Sequence, residues 1–597
     1  ADKAGWLWMN KKKYKDLSYN MRQINDLKDM LDSSAVIHSD RTAYLIKKKA
    51  GTDYIPVKFW QLKEDVDSLG TALCAMGMAG RKIALIGENS YHWVVTYMAT
   101  INGTGVIVPI DKELPPGEIE SLMNRAGVSV IVYSGKLAKE TKEVIQNIEG
   151  IECRICMDQD APQCQEGFYT WDEVAERGRS LIKTGDRSFV DAVIDREAMC
   201  TLLFTSGTMG YAKGVMLSHK NISSNVYNLS KYIYIRQPGV GLSVLPMHHT
   251  YEMTCHILTA IYQGVCVAIC EGLKHIAKNL TESQTTVMLG VPLVFESMHR
   301  KIFKQAGAAS KGNNLKFAIA VSKKLKLYNN QKLIRKLFAD IHKAAGGHIE
   351  LFVAGGAAID PRVIEDFQAM GFPMIQGYGM TENAPIIAVN RDSCSKTSSV
   401  GYPMPGTEIR IEDPDDGGIG EIICRGPSVM LGYYDDPEQT AETLRDGWLY
   451  TGDYGYFDDD GMLYISGRKK NVIVTKNGKN IFPEEVEYYL CKSDYILEAL
   501  VYGIQDQESG ATVVSADIYP DFERIKEQYG RMEEQDLRKF MKSTVEQVND
   551  TMSMYKRVKR FEIRYTEFEK TTTKKIKRIN RSGIDGYSNC KSQSEGK

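Results

Sequence analysis

The sequence has few of the features that mark a secreted, membrane-spanning or strongly charged protein. Its 597 residues include twelve cysteines, too sparse a number for a disulfide scaffold. Lys and Arg number 75 against 76 Asp and Glu, so the net charge of −1 provides no general attraction for nucleic acid. The first residues contain no apolar stretch of the signal-peptide type. We therefore expect a cytoplasmic location and no nucleic-acid partner.

Long hydrophobic runs are also missing. The most continuous apolar stretch, Cys255 to Cys270, is interrupted by Gln263 and Gly264. It is shorter than the roughly 20 residues that a membrane-spanning helix needs. We predict a core helix, a turn and a buried strand in this stretch.

The cysteines lack complete zinc-ligand spacing. Cys153 and Cys156 form a CxxC pair with Cys164 nearby, but no second CxxC or HxxxH follows at ligand distance. A zinc site stays open as an alternative, and unlinked thiols are the favoured interpretation.

The glycine-rich stretch TLLFTSGTMGYAKGVMLSHKN, Thr201 to Asn221, lacks the spacing of a Walker loop. That loop needs Gly, four residues and then Gly-Lys-Ser/Thr, whereas Lys213 stands between Ala212 and Gly214. The stretch still offers hydroxyls, accessible backbone N–H groups and a positive charge, which together suit a polyphosphate. The alternative is a surface turn that binds nothing. The residues concerned are Thr205, Ser206, Gly207, Thr208, Gly210, Lys213 and Gly214.

Strand and helix patterns alternate over the first two thirds of the chain. Apolar runs typical of buried strands recur from about residue 59 to residue 351, with helical three-to-four spacing between them. The pattern predicts an α/β fold with layered, largely parallel sheets, in which ligands bind at the carboxyl ends of the strands. Turn residues after about residue 391 predict a small β-rich subdomain at about 395–465.

The length predicts more than one domain. We predict a large N-terminal domain over residues 1–468 and a small α+β C-terminal domain over residues 469–580, because a charged, mixed pattern follows the β-rich region. Residues 581–597 are small and polar, and we predict a disordered tail.

Two further stretches supply groups for a nucleotide. The stretch Ala354 to Pro361 ends a predicted strand, and Gly355, Gly356 and Ala357 would let a flat ring lie against the backbone. The stretch QGYGMTE adds an aromatic ring, a hydroxyl and a carboxylate suited to Mg²⁺. An ordinary turn with a helix cap is the alternative. The residues of this second stretch are Gln376, Gly377, Tyr378, Gly379, Thr381 and Glu382.

A third set of residues lies nearer the end of the chain. Asp453 is on a glycine turn and Arg468 follows a hairpin; a buried carboxylate can accept both hydroxyls of a ribose, and arginine binds sugar or phosphate. A lysine cluster lies between Glu569 and Arg578. Its alternative interpretation is a solvated basic run or a patch for anionic partners.

In this order and spacing, the segments resemble the adenylate-forming superfamily of acyl-CoA synthetases, peptide-synthetase adenylation domains and beetle luciferases. Thr205 to Gly214 resembles the TSGTTGxPKG signature, with Met209 and Ala212 as departures. GYGMTE resembles YGxTE, WLYTGD and GRKKNVI resemble the next two motifs, and TTTKKIKR resembles TxxGKIxR. The resemblance extends from about residue 20 to Arg578. The segments VPLVFESMHRKI and GRKKNVIVTKNGKNIFPEEVE are similar to long-chain fatty acyl-CoA synthetases, the second in the style of bacterial members.

The resemblance implies an ATP-dependent, AMP-forming acyl-CoA synthetase that uses Mg²⁺. Such an enzyme adenylates a medium- or long-chain fatty acid, transfers the acyl group to coenzyme A and releases AMP. A close alternative is a fatty acyl-AMP ligase that loads an acyl carrier protein. The alternative from another class is a non-catalytic nucleotide-binding scaffold. A basic C-terminal region beside a fatty substrate leaves peripheral membrane contact open.

The resemblance also implies roles for the nucleotide-binding residues. Glu382 and Thr205 would hold Mg²⁺, and the loop from Thr205 to Gly214 would bind phosphate. The residues from Gly355 to Ala357 and from Gln376 to Thr381 would surround the base, with Tyr378 stacking near adenine. Asp453 and Arg468 would hold the ribose.

The remaining roles concern the chemical steps. Lys575 matches the catalytic lysine, although Lys574 replaces the usual glycine beside it. Lys470 matches a hinge about which a mobile C-terminal domain rotates between the two half-reactions. Gly478 matches a glycine that leaves room for the pantetheine arm. His249 matches a position beside the acyl carboxylate, where a lone histidine is more often simply packed.

Overall fold

The computed structural model describes residues 18–158, 167–205, 212–308, 312–392, 394–474, 480–505, 512–571 and 576–578. The chain divides into two units. The larger unit comprises Ala1–Glu412, Ile422–Thr451 and Phe457–Tyr464. The smaller unit comprises Asp413–Glu421, Gly452–Tyr456 and Ile465–Lys597. The domain boundaries stated above stay predictions.

The strands are numbered in chain order. They are β1 Thr42–Ile46, β2 Ile55–Lys58, β3 Arg81–Ile86, β4 Gly105–Ile110, β5 Val130–Tyr133, β6 Cys153–Cys156, β7 Phe168–Thr170, β8 Met199–Thr205, β9 Lys213–Ser218, β10 Val240–Ser243, β11 Cys266–Ile269, β12 Val287–Gly290, β13 Leu351–Ala354, β14 Met374–Gly379, β15 Ile386–Val389, β16 Tyr402–Pro403, β17 Glu408–Glu412, β18 Gly420–Arg425, β19 Gly432–Tyr433, β20 Leu444–Arg445, β21 Trp448–Phe457, β22 Leu463–Arg468, β23 Ile473–Val474, β24 Asn480–Ile481, β25 Ile496–Gln505, β26 Thr512–Pro520 and β27 Arg560–Ile563.

The α-helices are numbered in the same way. They are α1 Leu27–Ile37, α2 Phe59–Ala75, α3 Tyr91–Ala99, α4 Pro116–Ala126, α5 Lys139–Asn147, α6 Trp171–Lys183, α7 His219–Ser230, α8 Thr250–Glu252, α9 Thr259–Gln263, α10 Ile276–Glu282, α11 Pro292–Ala308, α12 Gly312–Leu325, α13 Gln331–Leu337, α14 Ala339–Ala344, α15 Pro361–Ala369, α16 Pro437–Thr443, α17 Pro483–Leu490, α18 Phe522–Tyr529 and α19 Glu534–Asn549. Short π- or 3₁₀-helical turns are Thr100–Thr104, Met253–Leu258, Leu273–His275, Leu327–Asn329, Thr381–Asn383, Lys469–Asn471 and Met554–Lys556.

A nine-stranded sheet of the larger unit has the order β16-β15-β14-β13-β12-β10-β11-β1-β2. The strands from β14 to β1 in this order are parallel neighbours, and the outer pairs are antiparallel. Alternate residues of its central strands enter different apolar clusters: Met288 and Phe352 lie in one, and Val287 and Val353 in another. The sheet is therefore covered on both faces, as parallel sheets require.

An eight-stranded sheet of the same unit has the order β19-β9-β8-β4-β3-β5-β6-β7. Strands β3 to β8 pair in parallel, and β9 and β19 are antiparallel additions at one edge. Leu85 and Ile86 of β3 enter separate apolar clusters on the two faces. The predicted α/β class with layered, largely parallel sheets is confirmed.

Local sequence signals explain where several helices begin. The side chain of Thr170 accepts a hydrogen bond from the Glu173 N–H while Glu173 accepts one from the Thr170 N–H, which forms a capping box at α6. Asp360 caps α15, and Pro361 occupies the first helical position, where no N–H is needed.

The apolar stretch near residue 260 folds as predicted. Helix α9 ends at Gln263, Gly264 turns the chain with φ of 72°, and β11 follows as a buried strand. The left-handed conformation at this position favours glycine. Among the described residues, the structure contains no helix long and apolar enough to cross a membrane.

Cys153 and Cys156 lie on strand β6 and are both buried. They enter the apolar clusters on opposite faces of the eight-stranded sheet. Burial raises the pKa of the Cys153 thiol to about 12. The two thiols therefore do not converge on one metal ion, and Cys164 lies outside the described residues.

The remaining strands form smaller sheets. A five-stranded sheet has the order β17-β18-β21-β20 with β22 paired to β21, and β18 and β21 run from one unit into the other. In the smaller unit β25 and β26 pair antiparallel, β27 joins β26 in parallel, and β23 pairs with β24. In the core of the smaller unit, side chains of the β25–β26–β27 sheet pack against α17 and α19. Val486, Val501 and Met541 belong to this core.

A close approach of two helices gives a stability prediction. A Cβ atom at Gly178 of α6 would lie 1.7 Å from the carbonyl oxygen of Ser68 on α2. We expect Gly178→Ala to force these helices apart and to destabilise the larger unit by about 1–3 kcal/mol or more. The midpoint of urea-induced unfolding measures the change. The matched control is Gly117→Ala on α4, where a Cβ would have no neighbour within 4 Å. The control should leave stability unchanged or raise it, and an equal loss in both variants would contradict the packing explanation.

Candidate functional site

The base of the predicted phosphate loop is formed by two paired strands. Thr205 ends β8, Lys213 begins β9, and the two residues are direct antiparallel partners. The Thr205 hydroxyl donates to the Lys213 carbonyl at 3.4 Å. Ser206, Gly207, Thr208 and Gly210 lie outside the described residues. The structure thus places a hydroxyl residue and a lysine side by side where the loop leaves and re-enters the sheet.

Neighbouring residues hold the β9 end of this loop in place by hydrogen bonds. The Gly214 carbonyl accepts a hydrogen bond from the Tyr434 N–H at 2.7 Å. Lys82 donates to the Tyr434 hydroxyl at 2.6 Å, and the Arg125 guanidinium donates to the Ala212 carbonyl. The strand that follows the loop is therefore held through backbone groups as well as by its sheet partner.

Glu382 lies on the 3₁₀ turn Thr381–Asn383, between β14 and β15. Two buried asparagines stabilise the turn by hydrogen bonds. Asn383 donates to the Ile386 carbonyl at 2.7 Å, and Asn225 donates to the carbonyls of Asn383 and Ile386 at 3.1 and 3.0 Å. Buried amides that find partners resist rearrangement, because breaking one leaves a polar group unsatisfied. The backbone that presents Glu382 is consequently well supported.

Tyr433 joins the two motifs. Its hydroxyl donates to Glu382 Oε1 at 2.9 Å, and Lys213 Nζ lies 4.8 Å from the centre of its ring. Burial, and then the Glu382 carboxylate, raise the pKa of Tyr433 well above its usual value. Tyr433 is on β19, which pairs with β9 through Val215. Lys213, Tyr433 and Glu382 thus form one cluster, which we call the Tyr433 cluster.

Sequence reasoning missed Tyr433. The stretch LGYY, residues 431–434, falls within the predicted β-rich subdomain at about 395–465, whereas the structure adds Gly432 and Tyr433 to the edge of the eight-stranded sheet. The available signal was a pair of tyrosines after a glycine, which is not distinctive. The pairing that gives Tyr433 its position is non-local, so the pattern of its own segment does not contain it.

The glycines after β13 accommodate a ring from the protein itself. A Cβ at Gly355 would lie 2.7 Å from Cζ of Tyr251, whose hydroxyl donates to the Val353 carbonyl at 3.0 Å. Gly356 has φ of 83°, and it and Ala357 are exposed. The ring of Tyr251 thus fills the space that a side chain at position 355 would take, and Gly356 and Ala357 are exposed. That a bound base lies against this backbone stays a prediction.

Four predicted base-binding residues lie on β14. They are Gln376, Gly377, Tyr378 and Gly379. The Gln376 side chain donates to the Thr397 carbonyl at 2.8 Å, so it braces a neighbouring loop. A Cβ at Gly379 would lie 2.2 Å from the Pro385 carbonyl oxygen, which explains why a glycine is needed there. Tyr378 is half-buried.

His249 lies at the start of α8, and its ring centre is 4.2 Å from that of His248. His248 Nε2 is 3.5 Å from a carboxylate oxygen of Asp111. Beside His248 is a cavity of about 10 Å³ with a mainly apolar lining. The lining residues are Tyr97, Pro109, Leu203, Leu217, Ile222, Met247, His248, Thr250, Met253 and Thr254. His248 therefore lies near a carboxylate and lines a mainly apolar cavity, and His249 is next to it.

Asp453 and Arg468 come together within the smaller unit. Arg468 Nε donates to Asp453 Oδ1 at 2.8 Å, and the Asp453 side chain is only 7% exposed. Asp453 lies on β21 directly after Gly452, whose φ is 69°, and Arg468 ends β22. Lys470 follows on an exposed 3₁₀ turn. The two residues predicted to bind a ribose thus form an oriented ion pair.

Gly478 lies outside the described residues, but the strands that flank it do not. Val474 of β23 pairs with Asn480 of β24 in antiparallel register. Asn471 donates to Glu484 at 2.6 Å close by. Val474 and Asn480, on either side of Gly478 in sequence, are therefore held in register with each other.

Lys575 and its neighbour Lys574 also lie outside the described residues. Lys570 and Ile576 form a backbone bridge on either side of them. Arg578 donates to both carboxylate oxygens of Glu487, at 2.7 and 2.6 Å. Burial raises the pKa of Glu487 to about 7, against the opposing effect of Arg578. The Arg578–Glu487 pair attaches Arg578, three residues after Lys575 in sequence, to α17.

No group of three or more His, Cys, Asp or Glu side chains within the described ranges is arranged to hold a metal ion. Mg²⁺ does not need such a group, because it is usually bound by one or two protein oxygens together with substrate phosphates. The Glu382 carboxylate and the Thr205 hydroxyl are oxygen donors of this type.

Two family models match the chain. The model described as AMP-binding enzyme matches residues 31–434, and the one described as AMP-binding enzyme C-terminal domain matches residues 470–583. The resemblance inferred from the motifs is confirmed by the first match, which covers more than half of the chain.

Known relatives match most of the sequence. Fatty acyl-CoA synthetase B of Dictyostelium discoideum is 27% identical over 540 residues, which cover 85% of this chain and 79% of the relative. Long-chain-fatty-acid–[acyl-carrier-protein] ligase AEE15, chloroplastic, of Arabidopsis thaliana is 26% identical over 555 residues, covering 81% and 76%. The crystal structure of the anthranilate CoA ligase AuaEII in complex with anthranoyl-AMP has a TM-score of 0.72 at 20% identity, covering 94% of this chain and 96% of that chain. The structural likeness shows the shared fold.

The Tyr433 cluster predicts a loss of nucleotide affinity when its hydrogen bond is removed. We expect Tyr433→Phe to weaken magnesium–ATP binding about tenfold, because an unsupported carboxylate loses its orientation toward the metal. Calorimetric titration with magnesium–ATP measures the change. Tyr434→Phe is the matched control, since that hydroxyl contacts Lys82 instead of Glu382. Equal affinities of the Tyr433 variant and the parent would show that the hydroxyl does not position Glu382.

Proposed function

Since the chain belongs to the AMP-binding enzyme family, we propose that it is an ATP-dependent, AMP-forming acyl-CoA synthetase. Its substrate would be a medium- or long-chain fatty acid. The observation that carries the proposal is the Tyr433 cluster, in which Lys213 from the phosphate-loop motif and Glu382 from a motif far away in sequence meet at one tyrosine. The relatives named for fatty acyl-CoA and long-chain fatty-acid ligation support the choice of acid.

The proposed reaction replaces a poor leaving group on the carboxylate, oxide, by a good one, AMP. A carboxylate cannot be attacked directly by a thiol, because oxide would have to leave. In the proposed first step a carboxylate oxygen bonds to the α-phosphorus of ATP and pyrophosphate departs. The acyl-adenylate that forms is then attacked by the thiolate of coenzyme A, and AMP departs. Positioning and charge stabilisation are the main tasks of the protein in both steps.

The residues of the Tyr433 cluster would serve the first step. Lys213 and the Thr205 hydroxyl lie together at the base of the loop, where they can bind phosphate oxygens. Tyr433 engages one oxygen of Glu382 and so directs the carboxylate. Glu382 and Thr205 would hold Mg²⁺, which would offset the negative charge of the phosphates.

Residues of the smaller unit would hold the sugar and complete the charge stabilisation. The Asp453 carboxylate, oriented by Arg468, is suited to accept hydrogen bonds from ribose hydroxyls. Lys575 would bind the acyl carboxylate and nearby ribose or α-phosphate oxygens. Arg578, which follows Lys575 by three residues, is held by Glu487 and supports a place for this lysine in the smaller unit.

The second step would use a different arrangement of a mobile C-terminal domain. We place its hinge at Lys470, which is also the first residue matched by the C-terminal family model. Gly478 would line the pantetheine tunnel, where a missing side chain leaves room. The paired strands on either side of it support a fixed position for such a loop base. Domain rotation is an established way to run two half-reactions in one site.

The acyl group would lie near the histidine pair. His249 is placed beside His248, and the adjoining cavity is lined mainly by apolar side chains. That cavity is far smaller than a fatty acyl chain, so entry of the chain requires side chains to move. Met247 and Met253 in its lining are flexible enough to do so.

A second candidate function has an acyl carrier protein in place of coenzyme A as the thiol acceptor. The Arabidopsis relative, which is named as an acyl-carrier-protein ligase, favours this candidate. Adenylation would be the same in both cases, so the acceptor has to be tested separately from the acid.

The direct test is ATP–pyrophosphate exchange with carboxylic acids from acetate to palmitate and with aromatic acids. We expect exchange to be strongest with a medium- or long-chain fatty acid, since the proposed site pairs a charged end with an apolar wall. Thioester formation with coenzyme A and with a carrier protein is then measured for the best acid. Absence of exchange with every acid would contradict adenylation and leave a nucleotide-binding scaffold.

Separate assays of the half-reactions test the proposed lysine. We expect Lys575→Ala to lower adenylation about 10²- to 10³-fold, as for the loss of one charge-stabilising donor. Thioester formation from supplied acyl-AMP should persist, because that step does not need the lysine. Lys574→Ala is the matched control and should adenylate normally. The reverse pattern would assign the role to Lys574.

A further inference from the structure

One stretch of the chain is far more basic than the rest. Residues 300–348 contain twelve Lys and Arg against a single acidic residue, Asp340, a net charge of +11. The whole chain has a net charge of −1, so the remaining residues together carry −12. We call residues 300–348 the basic helical segment, because α12, α13, α14 and the end of α11 lie within it. The overall charge is near zero because the positive charge of this segment and the negative charge of the remaining residues cancel.

The basic helical segment also exposes large apolar side chains. The Phe317 side chain is 72% exposed and Leu325 is 63% exposed. Three more of its large apolar residues are exposed: Tyr328, Leu333 and Leu337. Single exposed apolar residues are ordinary on a protein surface, but five within 21 residues require a physical explanation.

Helix α12 has an inner and an outer face. Leu315, Ile319 and Ser322 are buried, and the Ser322 hydroxyl donates to the Ala369 carbonyl at 2.6 Å. Phe317 and its neighbour Lys316 are exposed. The helix is thus anchored to the unit by one face and offers a phenylalanine beside a lysine on its exposed surface.

Helix α13 repeats this arrangement. Ile334 is fully buried, whereas Leu333 and Leu337 are exposed one helical turn apart. Lys332 and Lys336 precede these leucines and are exposed as well. Each exposed leucine therefore has a lysine next to it in sequence, with a long apolar stem that can lie along a surface while the ammonium reaches a polar layer.

We propose that the basic helical segment docks the protein onto the surface of an anionic lipid bilayer. The positive charge complements anionic headgroups, and the exposed Phe and Leu side chains can enter the headgroup–acyl boundary. The negative charge on the rest of the chain would keep other surfaces away from the same bilayer. The charge distribution and the exposed apolar side chains together favour one orientation of the protein, with the basic helical segment facing the bilayer.

A protein partner explains the segment less well. Lysine is depleted at the cores of protein–protein interfaces, where apolar side chains cluster without charge. Here the exposed apolar residues are separated from one another along the chain and interleaved with lysines. That pattern is typical of helices that lie in a membrane interface. The proposal goes beyond fatty-acid activation, and its test needs no turnover.

Vesicle sedimentation tests the proposal with the full chain. The vesicles are made of phosphatidylcholine alone, or of phosphatidylcholine with phosphatidylglycerol. We expect binding to the anionic vesicles, little binding to the neutral ones, and a loss of bound protein as salt is raised. Equal binding to the two kinds of vesicle would overturn the proposal.

Two variants locate the contact. Replacing Lys316, Lys324, Lys332 and Lys336 by Gln should reduce the partition coefficient on anionic vesicles by about fivefold per lysine. The matched control replaces four lysines that are more than two thirds exposed elsewhere, Lys136, Lys139, Lys539 and Lys542. Phe317→Ser combined with Leu333→Ser and Leu337→Ser should weaken binding about tenfold at unchanged charge. Circular dichroism establishes that each variant is folded.

Three further results would overturn the proposal. One is full binding of the four-lysine variant to anionic vesicles, and another is an equal loss in the control. The third is absence of vesicle binding while the four-lysine substitution abolishes binding of an acyl carrier protein, which would make the segment a protein-docking surface. Exchange activity with dissolved acid, measured in parallel, should be the same for parent and variants. Vesicle binding without exchange activity would refute the proposed function and leave the docking surface intact.

Discussion

The hydrogen bond from Tyr433 to Glu382 is the contact on which the candidate site of the larger unit depends. It joins the edge of one sheet to a turn that follows a strand of the other sheet. The same ring lies near Lys213, so a single tyrosine relates a cation and a carboxylate that the chain keeps far apart in sequence. Its position follows from backbone pairing between β19 and β9. Loss of that pairing would separate the two motifs even if each kept its local structure.

In the smaller unit, backbone pairing likewise positions residues close in sequence to candidate site residues. On either side of Gly478, Val474 pairs with Asn480, and on either side of Lys575, Lys570 pairs with Ile576. Ion pairs add to this, and the contact of Arg578 with Glu487 is buried enough to shift the pKa of the carboxyl group. The protein thus fixes the bases of its motif loops with groups that need not touch substrate.

Charge is distributed so that the two proposed tasks do not compete. The phosphate site gathers a few cations next to acceptors such as Glu382, whereas the basic helical segment concentrates many cations with a single acid. A site for ATP needs balanced charge at short distances, and a lipid surface needs net charge over a wide area. The net charge of −1 for the whole chain describes neither region.

The sequence by itself determined the α/β class, the turn at Gly264 and the family, because strand and helix periodicities and short motifs are local properties. It also placed Thr205, Lys213 and Glu382 among the candidate site residues. Only the tertiary structure decided that Tyr433 connects Lys213 with Glu382, that Tyr251 occupies the space beside Gly355, and that Cys153 and Cys156 enter different clusters. The physical reason is that these facts follow from pairing and packing between distant segments, which no periodicity within one segment records.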